Sequence, residues 1–396
     1  MTNGDIIERV RVLPITLEIR QPIRFTQGRV RKFQRLIVEL TSRDGAVGYG
    51  ECRGDLLIYT MLNGLADSLV GTDPYQLERL RWRIAPQGLV ELFSGTIAVQ
   101  CFAAVEMACL DLIGRTTGRP VSDLLGGRVR DAIPTAGYLY YGDAPEAAAQ
   151  DELLALAHEM DGAYGFRTLK FKCGVFAPET ELATLRRLRA EFPGHRIRID
   201  PNGAWGIATS LRFLAAAREL DVEYAEDPAP TLAKNRRIRE LDPGVPLASN
   251  QAVASLETMG LDQAFGAIDI VLVDVDWYGG LRGSVLAGRM AELVGRDVNI
   301  HSSHETAISQ AAQLHVAACV ANLPYAADTH YVYLRDDVIA GARLPAADGA
   351  MPVPAGAGLG IDVDTRELER LHARWRELGF ASWDEDDGEP VVLPRW

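Results

Sequence analysis

Cysteine is scarce, and its placement excludes two chemistries at once. The 396 residues contain five, Cys52, Cys101, Cys109, Cys173 and Cys319. The set is odd and scattered, with no C-x-x-C pair and no zinc-type spacing, so neither a disulfide framework nor a cysteine-built metal site fits. Basic charge is short as well: 41 Lys and Arg against 54 Asp and Glu leave a net of −13. That is the wrong sign for tracking a phosphate backbone or an anionic membrane, so neither nucleic acid nor membrane is an expected partner. Long apolar runs are missing too. No stretch of eighteen apolar residues occurs, and the opening MTNGDIIERVRVLP lacks an apolar segment of signal-peptide length. A soluble, cytoplasmic protein with reduced thiols is the expectation. What the chain does have is ample apolar material, 47% hydrophobic against 24% charged residues, which excludes disorder. Its length exceeds what one core usually serves, so a large barrel or sheet domain with a smaller companion is expected.

From Pro134 onward one pattern returns. A short apolar segment ends in polar residues and is followed by a helix-like stretch rich in Ala, Leu and Arg. The segments are TAGYLYYGD, RTLKFKCG, RIRIDPNG, VEYAEDP, PLASN, IDIVLVDVD, DVNIHSSH and YAADTHY, and their polar tips recur roughly every 23 to 30 residues. Eight such units predict an α/β protein built on a (β/α)8 TIM-type barrel over residues 131–355. A doubly wound open sheet is the alternative. It ranks lower because every segment carries its polar residues at the C-terminal end, where barrel enzymes keep their chemistry, and no GxGxxG follows any strand. Residues 1–130 predict an α+β capping domain. ITLEI and QRLIVELTS alternate as strands, DGAVGYGE reads as a hairpin, and TIAVQCFAAVEMACLDLIGRTTG reads as a helix ending at Gly118. Residues 356–396, a Gly/Pro loop, a charged helix and an acidic tail, are expected to pack back on that cap.

The chemistry concentrates at the strand ends. In Lys170-Phe171-Lys172 alternation puts both lysines on one face, toward the barrel interior, with Leu169 and Phe171 on the other. A solvated edge strand is the ordinary explanation for such lysines. Burying two like charges together would instead lower the basicity of at least one, as a catalytic base requires. Asp200, Glu226 and Asn250 close three consecutive strands, and three oxygen ligands suit a hard cation such as Mg2+. Each alone could be a helix N-cap. Asp274 and Asp276 end the sixth segment, and His301 and His304 end the seventh. A carboxylate beside an imidazole fixes its tautomer and raises its basicity, and His301, at the strand end itself, is the better candidate. His304 fits a capping or solvated loop residue, and His315 a residue packed within a helix. Asp328 and His330 alternate onto one face of the eighth segment.

This constellation resembles the mandelate racemase-like side of the enolase superfamily, and within it the glucarate dehydratases. The likeness spans nearly the whole chain. It includes DLLGG at Asp123 to Gly127, GYLYY at Gly137 to Tyr141, DPNGAW at Asp200 to Trp205, YAEDP at Tyr224 to Pro228, DTHY at Asp328 to Tyr331 and GLGID at Gly358 to Asp362. Asn250 as third ligand, where most relatives carry a carboxylate, points to the glucarate dehydratases. There are departures: Ser303 stands where that family usually has asparagine, an insertion between the first two barrel strands is missing, and Arg24, Arg29 and Arg31 occupy the specificity loop, Ile23 to Lys32, in an unfamiliar arrangement.

The resemblance implies a modified (β/α)7β barrel and a Mg2+-dependent acid-sugar dehydratase. Asp200, Glu226 and Asn250 would hold the metal, and Lys170 would add positive charge at the substrate carboxylate. Either Lys172 or the His301/Asp274 dyad would take the proton α to that carboxylate, giving an enediolate that expels the β-hydroxyl. His301 would be the general acid. Asn202, Ser303, Asp328, His330, Tyr138, Arg29 and Arg31 would position an aldarate or aldonate, leaving a 2-keto-3-deoxy acid. An even-numbered homo-oligomer is implied as well. Three alternatives remain open: a racemase or epimerase using the same two bases, a cycloisomerase, which typically carries a second lysine where this chain has Asp274, and a non-catalytic metal and carboxylate binder.

Overall fold

The computed structural model describes residues 5–26, 28–86, 95–380 and 393–396. The acidic tail and one position of the Ile23 to Lys32 loop, Gln27, lie outside them. The chain opens with a three-stranded antiparallel sheet, β1 (Ile7–Phe25), β2 (Gly28–Ser42) and β3 (Val47–Arg53). The β1–β2 pairing is interrupted between Glu18 and Ile23, and such an irregularity bends a ribbon away from its sheet. The bent tip lies on the barrel. The Arg24 N–H donates to the Tyr141 carbonyl at 2.8 Å, and Thr26 Oγ1 donates to the Pro201 carbonyl at 2.7 Å.

Helix Gly95–Thr117 lies across β3. By length and composition its Thr96–Thr117 stretch could cross a membrane, yet 89% of its most apolar window is buried inside the fold. Glycines allow that burial: a Cβ on Gly50 would sit 1.9 Å from the Ala104 carbonyl oxygen, and one on Gly48 2.3 Å from that of Ala108. Two buried acids on this helix reach other parts of the chain. Glu106 accepts from the Leu281 N–H at 2.6 Å, and Asp111 accepts from Tyr49 and Leu359 N–H groups at 2.9 and 2.8 Å. Helix Thr365–Leu378 returns to lie against β1, with His372 Nδ1 donating to the Pro14 carbonyl at 2.7 Å.

Eight parallel strands follow: β4 (Ala132–Leu139), β5 (Thr168–Lys172), β6 (Arg196–Asp200), β7 (Val222–Glu226), β8 (Leu247–Ser249), β9 (Ile270–Val273), β10 (Asp297–Ile300) and β11 (Ala327–Thr329). The ladder runs from β10 in order back to β4, and β11 then pairs β4, with β10 and β11 abutting. This return to the first strand excludes the doubly wound open sheet. Seven helices cover the strands, but β11 is followed only by the single turn Tyr331–Tyr333, giving the (β/α)7β form. Outward positions such as Leu169, Phe171, Ile197 and Ile199 are buried under the helices. The alternate positions, Lys170, Arg198, Tyr224, Asn299 and Asp328, meet in the interior. A strand buried on both faces therefore reads as apolar on one face and functional on the other.

His315, in helix Ala307–Cys319, joins three segments. Its Nδ1 accepts from the Ser122 N–H at 3.3 Å and its Nε2 donates to the Leu359 carbonyl at 3.2 Å. Protonating Nδ1 would set a donor against a donor. Burial lowers the imidazole to about 4, below its ordinary 6.5, so the folded form refuses a proton that the unfolded chain accepts. Stability from this group is full above about pH 6.5 and is lost as the pH falls toward 4, on the order of 3 kcal/mol across that span. Urea midpoints of the wild type should fall more between about pH 7 and pH 4.5 than those of His315→Gln. Equal falls would refute the assignment.

Candidate active site

The polar strand ends meet at one mouth of the barrel, and the site is built around a buried ammonium. Lys170 Nζ lies 2.7 Å from Asp328 Oδ2, 3.5 Å from Asp200 Oδ2 and in direct contact with Glu226 Oε2. It also donates to Tyr138 Oη at 3.2 Å and sits 4.8 Å from that ring's centre. Lys172, one step further along β5, donates to Asp200 Oδ2 at 2.5 Å and Asn202 Oδ1 at 3.1 Å. Burying the pair was expected to lower at least one of them, and Lys170 is not the one lowered. Burial lowers it, yet the carboxylates of Asp328, Glu226 and Asp200 outweigh burial and hold it well above the usual lysine value. Three anions around one cation decide the sign.

The two central carboxylates differ in the same field. Burial alone would raise Asp200, but the ammoniums of Lys172 and Lys170 and the hydrogen bonds from Lys172 and the Asn202 N–H bring it down to about 2. Glu226 goes well up, pushed by burial and then by the charge of Asp200. Both Glu226 oxygens and Asn250 Oδ1 are buried without a hydrogen-bond donor, the contact of Oε2 with Lys170 being an ion pair only. Buried acceptors of this kind need a donor or a cation. Among the described residues no group of three His, Cys, Asp or Glu side chains stands ready to hold a metal. The expected set has only two carboxylates, and its third oxygen is the Asn250 amide, a donor set that fits a hard cation.

On the other side stands His301. Its Nδ1 lies 3.0 Å from Asp274 Oδ2, and its Nε2 lies 3.0 Å from Asn250 Nδ2 and 3.7 Å from Glu226 Oε1. Burial raises Asp274, but the hydrogen bond and charge of His301 and the bond from Ser303 Oγ keep it below the usual carboxylate value. An ionised acid thus holds the imidazole with Nε2 toward the carboxylates.

Several expected substrate contacts are engaged elsewhere. Asp328 is 1% exposed and spent on Lys170, on Tyr138 and on Arg198, whose Nη1 is 3.2 Å from Oδ1. The His330 ring stacks on Tyr138 at 4.0 Å, its Nδ1 lies 2.6 Å from Ser302 Oγ, and its Nε2 touches Tyr140 Oη. His304 is no solvated loop residue: its ring lies 3.9 Å from Phe33 and 4.0 Å from His330. Arg29 and Arg31, on the hairpin tip, both reach Asp143 at 3.0 Å, because that acid closes the loop after β4 directly beneath the tip. Arg24 lies over the Phe176 ring at 5.0 Å.

The sequence reading overlooked Arg35, 2% exposed on β2. Its Nε donates to Glu51 at 2.6 Å, its Nη2 to Asp276 at 3.0 Å and its Nη1 to the Ser303 carbonyl at 3.0 Å. The available signal was a lone arginine in the apolar strand QRLIVEL. Arg198 was likewise overlooked, inside RIRID, where it shares the inward face with Asp200.

Comparison with known proteins accords with this geometry. Residues 7–126 match the family model of the mandelate racemase / muconate lactonizing enzyme N-terminal domain, and residues 152–368 match that of the enolase C-terminal domain-like family. A probable glucarate dehydratase of Streptomyces coelicolor is 35% identical, covering 100% of this chain and 98% of its own. A chloromuconate cycloisomerase of Cupriavidus necator is 27% identical over 90% of this chain and 96% of its own. Among solved structures, an enolase from Thermobispora bispora complexed with magnesium and formate superposes with a TM-score of 0.91 at 33% identity, covering 99% and 100% of the two chains. One from Mycobacterium smegmatis complexed with tartrate gives 0.92 at 33% identity over 100% of both. With both halves matched and full-length relatives above 30% identity, the chain belongs to the mandelate racemase/muconate lactonizing enzyme group of the enolase superfamily.

Proposed function

We propose that the chain is a Mg2+-dependent acid-sugar dehydratase acting on an aldarate or aldonate. The observation that carries this is the convergence of two lysines and an Asp-held imidazole on Asp200 and Glu226, with Glu226 Oε1 and Asn250 Oδ1 buried and without a donor. Likeness to the S. coelicolor probable glucarate dehydratase and to structures holding formate or tartrate supports it. Asp200, Glu226 and Asn250 would hold the ion, which when bound offsets the charge that builds on the substrate carboxylate as its α-proton leaves.

The protein's own groups do the rest. Lys170, kept cationic by its three acids, places a second positive charge at that carboxylate. Lys172 from the β5 side or His301 from the β10 side takes the α-proton. The C–H electron pair passes into the carboxylate and returns to form the Cα–Cβ double bond as the β C–O bond breaks. Protonated His301 gives its proton to the departing hydroxyl, which leaves as water, and the enol tautomerises to the 2-keto-3-deoxy acid. Asn202, already holding Lys172, offers its amide nitrogen to a substrate hydroxyl. Tyr138 and Asp328 act one step back, through Lys170, and Ser303 acts through Asp274. His330 braces Tyr138. Arg29 and Arg31 reach a distal carboxylate when they exchange Asp143 for it. A second reading, epimerisation, uses the same two bases, reprotonating the α-carbon without loss of hydroxyl.

Two measurements test this. Aldarates and aldonates incubated with Mg2+ in D2O should yield keto acid from glucarate or a stereoisomer. Yield should vanish with EDTA and fall at least about 100-fold in Lys172→Ala. Deuterium at the α-carbon without keto acid would identify an epimerase, and silence across the panel would refute the substrate class. In the second, Asn250→Ala should weaken Mg2+ binding, followed by calorimetry, about tenfold or more. Unchanged affinity would remove Asn250 from the ligand set.

A further inference from the structure

We infer that Arg35 is a positioning residue that makes the His301 side of the site depend on the docked N-terminal sheet through side chains, whereas the side-chain partners of Lys172 come from the barrel. The inference rests on the function proposed above. One guanidinium closes a ring of contacts. Arg35 Nη1 holds the Ser303 carbonyl, Ser303 Oγ donates to Asp274 Oδ2, the Asp276 N–H donates to Asp274 Oδ1 at 2.9 Å, and Asp276 Oδ2 returns to Arg35 Nη2 at 3.0 Å. The ring contains Asp274 of the dyad and Ser303, two residues beyond His301, and His301 joins it through Nδ1, 3.0 Å from Asp274 Oδ2. The third donor, Nε, fixes the arginine itself through Glu51 on β3. Glu51 in turn accepts from the N–H groups of Thr306 and Ser309, each at 2.9 Å, and from Thr306 Oγ1 at 2.7 Å. The start of helix Ala307–Cys319 is thereby pinned to the same sheet.

Near Lys172 the sheet reaches only backbone, Thr26 Oγ1 lying 3.4 Å from the Cys173 carbonyl and 2.7 Å from that of Pro201. The two side-chain partners of Lys172, Asp200 and Asn202, both follow from β6, the strand paired with β5. A planar fork that satisfies three acceptors in fixed directions cannot be replaced by an ammonium on a flexible stem. Charge alone would neutralise Glu51 and Asp276, but only the fork sets the Ser303 loop against Asp274.

The test uses full-length Arg35→Lys, which retains the cation, with folding verified by circular dichroism. The imidazole 15N spectrum should change at His301, assigned by its loss in His301→Gln, toward a mixture of tautomers. With substrate, kcat for elimination should drop about 100-fold while KM moves little. Exchange of the α-proton through Lys172 in D2O should persist. Asp276→Asn, which weakens the same ring at another point, should change the same resonance and carries the test if Arg35→Lys does not fold. An unaltered His301 spectrum in a folded variant would overturn the inference. Because the spectrum needs no substrate, it decides on Arg35 even if no acid sugar is turned over.

Discussion

Everything at the barrel mouth depends on keeping Lys170 charged where no water reaches it. An ammonium that is 0% exposed survives only if anions surround it, and the fold supplies three, from β6, β7 and β11. Those acids are themselves buried and must be matched in turn: Asp200 by Lys172, and Asp328 by Arg198, which continues to Glu223 and the face of Tyr224 at 4.7 Å. A polar column thus runs through the barrel interior beside a smaller apolar cluster of Tyr224, Ala248, Ile270 and Leu272. Removing one member of such a network leaves a buried charge without its partner, which costs about 3–5 kcal/mol. The rigidity that positions the reacting groups and the stability of the barrel thus come from the same contacts.

The cap is joined to this column by buried ionic contacts as well as by apolar area. Arg35 and Glu51 reach the loops after β9 and β10, Glu106 caps the helix that follows β9, and the hairpin tip rests on loops after β4, β5 and β6. A change in how the sheet docks is felt at strand ends, where a shift of an ångström matters for proton transfer, before it is felt in the core.

What the sequence revealed and what it hid follow one rule. Residues at strand ends were legible, because the repeating period places each end at the same mouth and alternation tells which side chains face inward. Lys170, Lys172, Asp200, Glu226, Asn250, Asp274 and His301 all come together for that reason. Pairings between distant segments were not. Nothing near Arg35 indicates that its partners lie 241 and 268 residues away, at Asp276 and Ser303. Nor does the loop Ile23 to Lys32 show that Asp143 awaits its arginines. Nor does the segment Lys170-Phe171-Lys172 show that Lys170 is held up: the neighbour in sequence is a cation, whereas the neighbours in space are acids.

The two groups proposed to transfer protons are consequently anchored in different ways. Lys172 takes its side-chain partners from the adjacent strand β6 and the loop that follows it. His301 is fixed through Asp274, Ser303 and Arg35, and so through a sheet that folds from the other end of the chain. On a scaffold where one base suffices for exchange but elimination or epimerisation needs the second group as well, the reaction's outcome lies in the more loosely specified half. Under the function proposed, substitutions in the sheet would alter which product forms without touching Asp200, Glu226, Asn250 or Lys172.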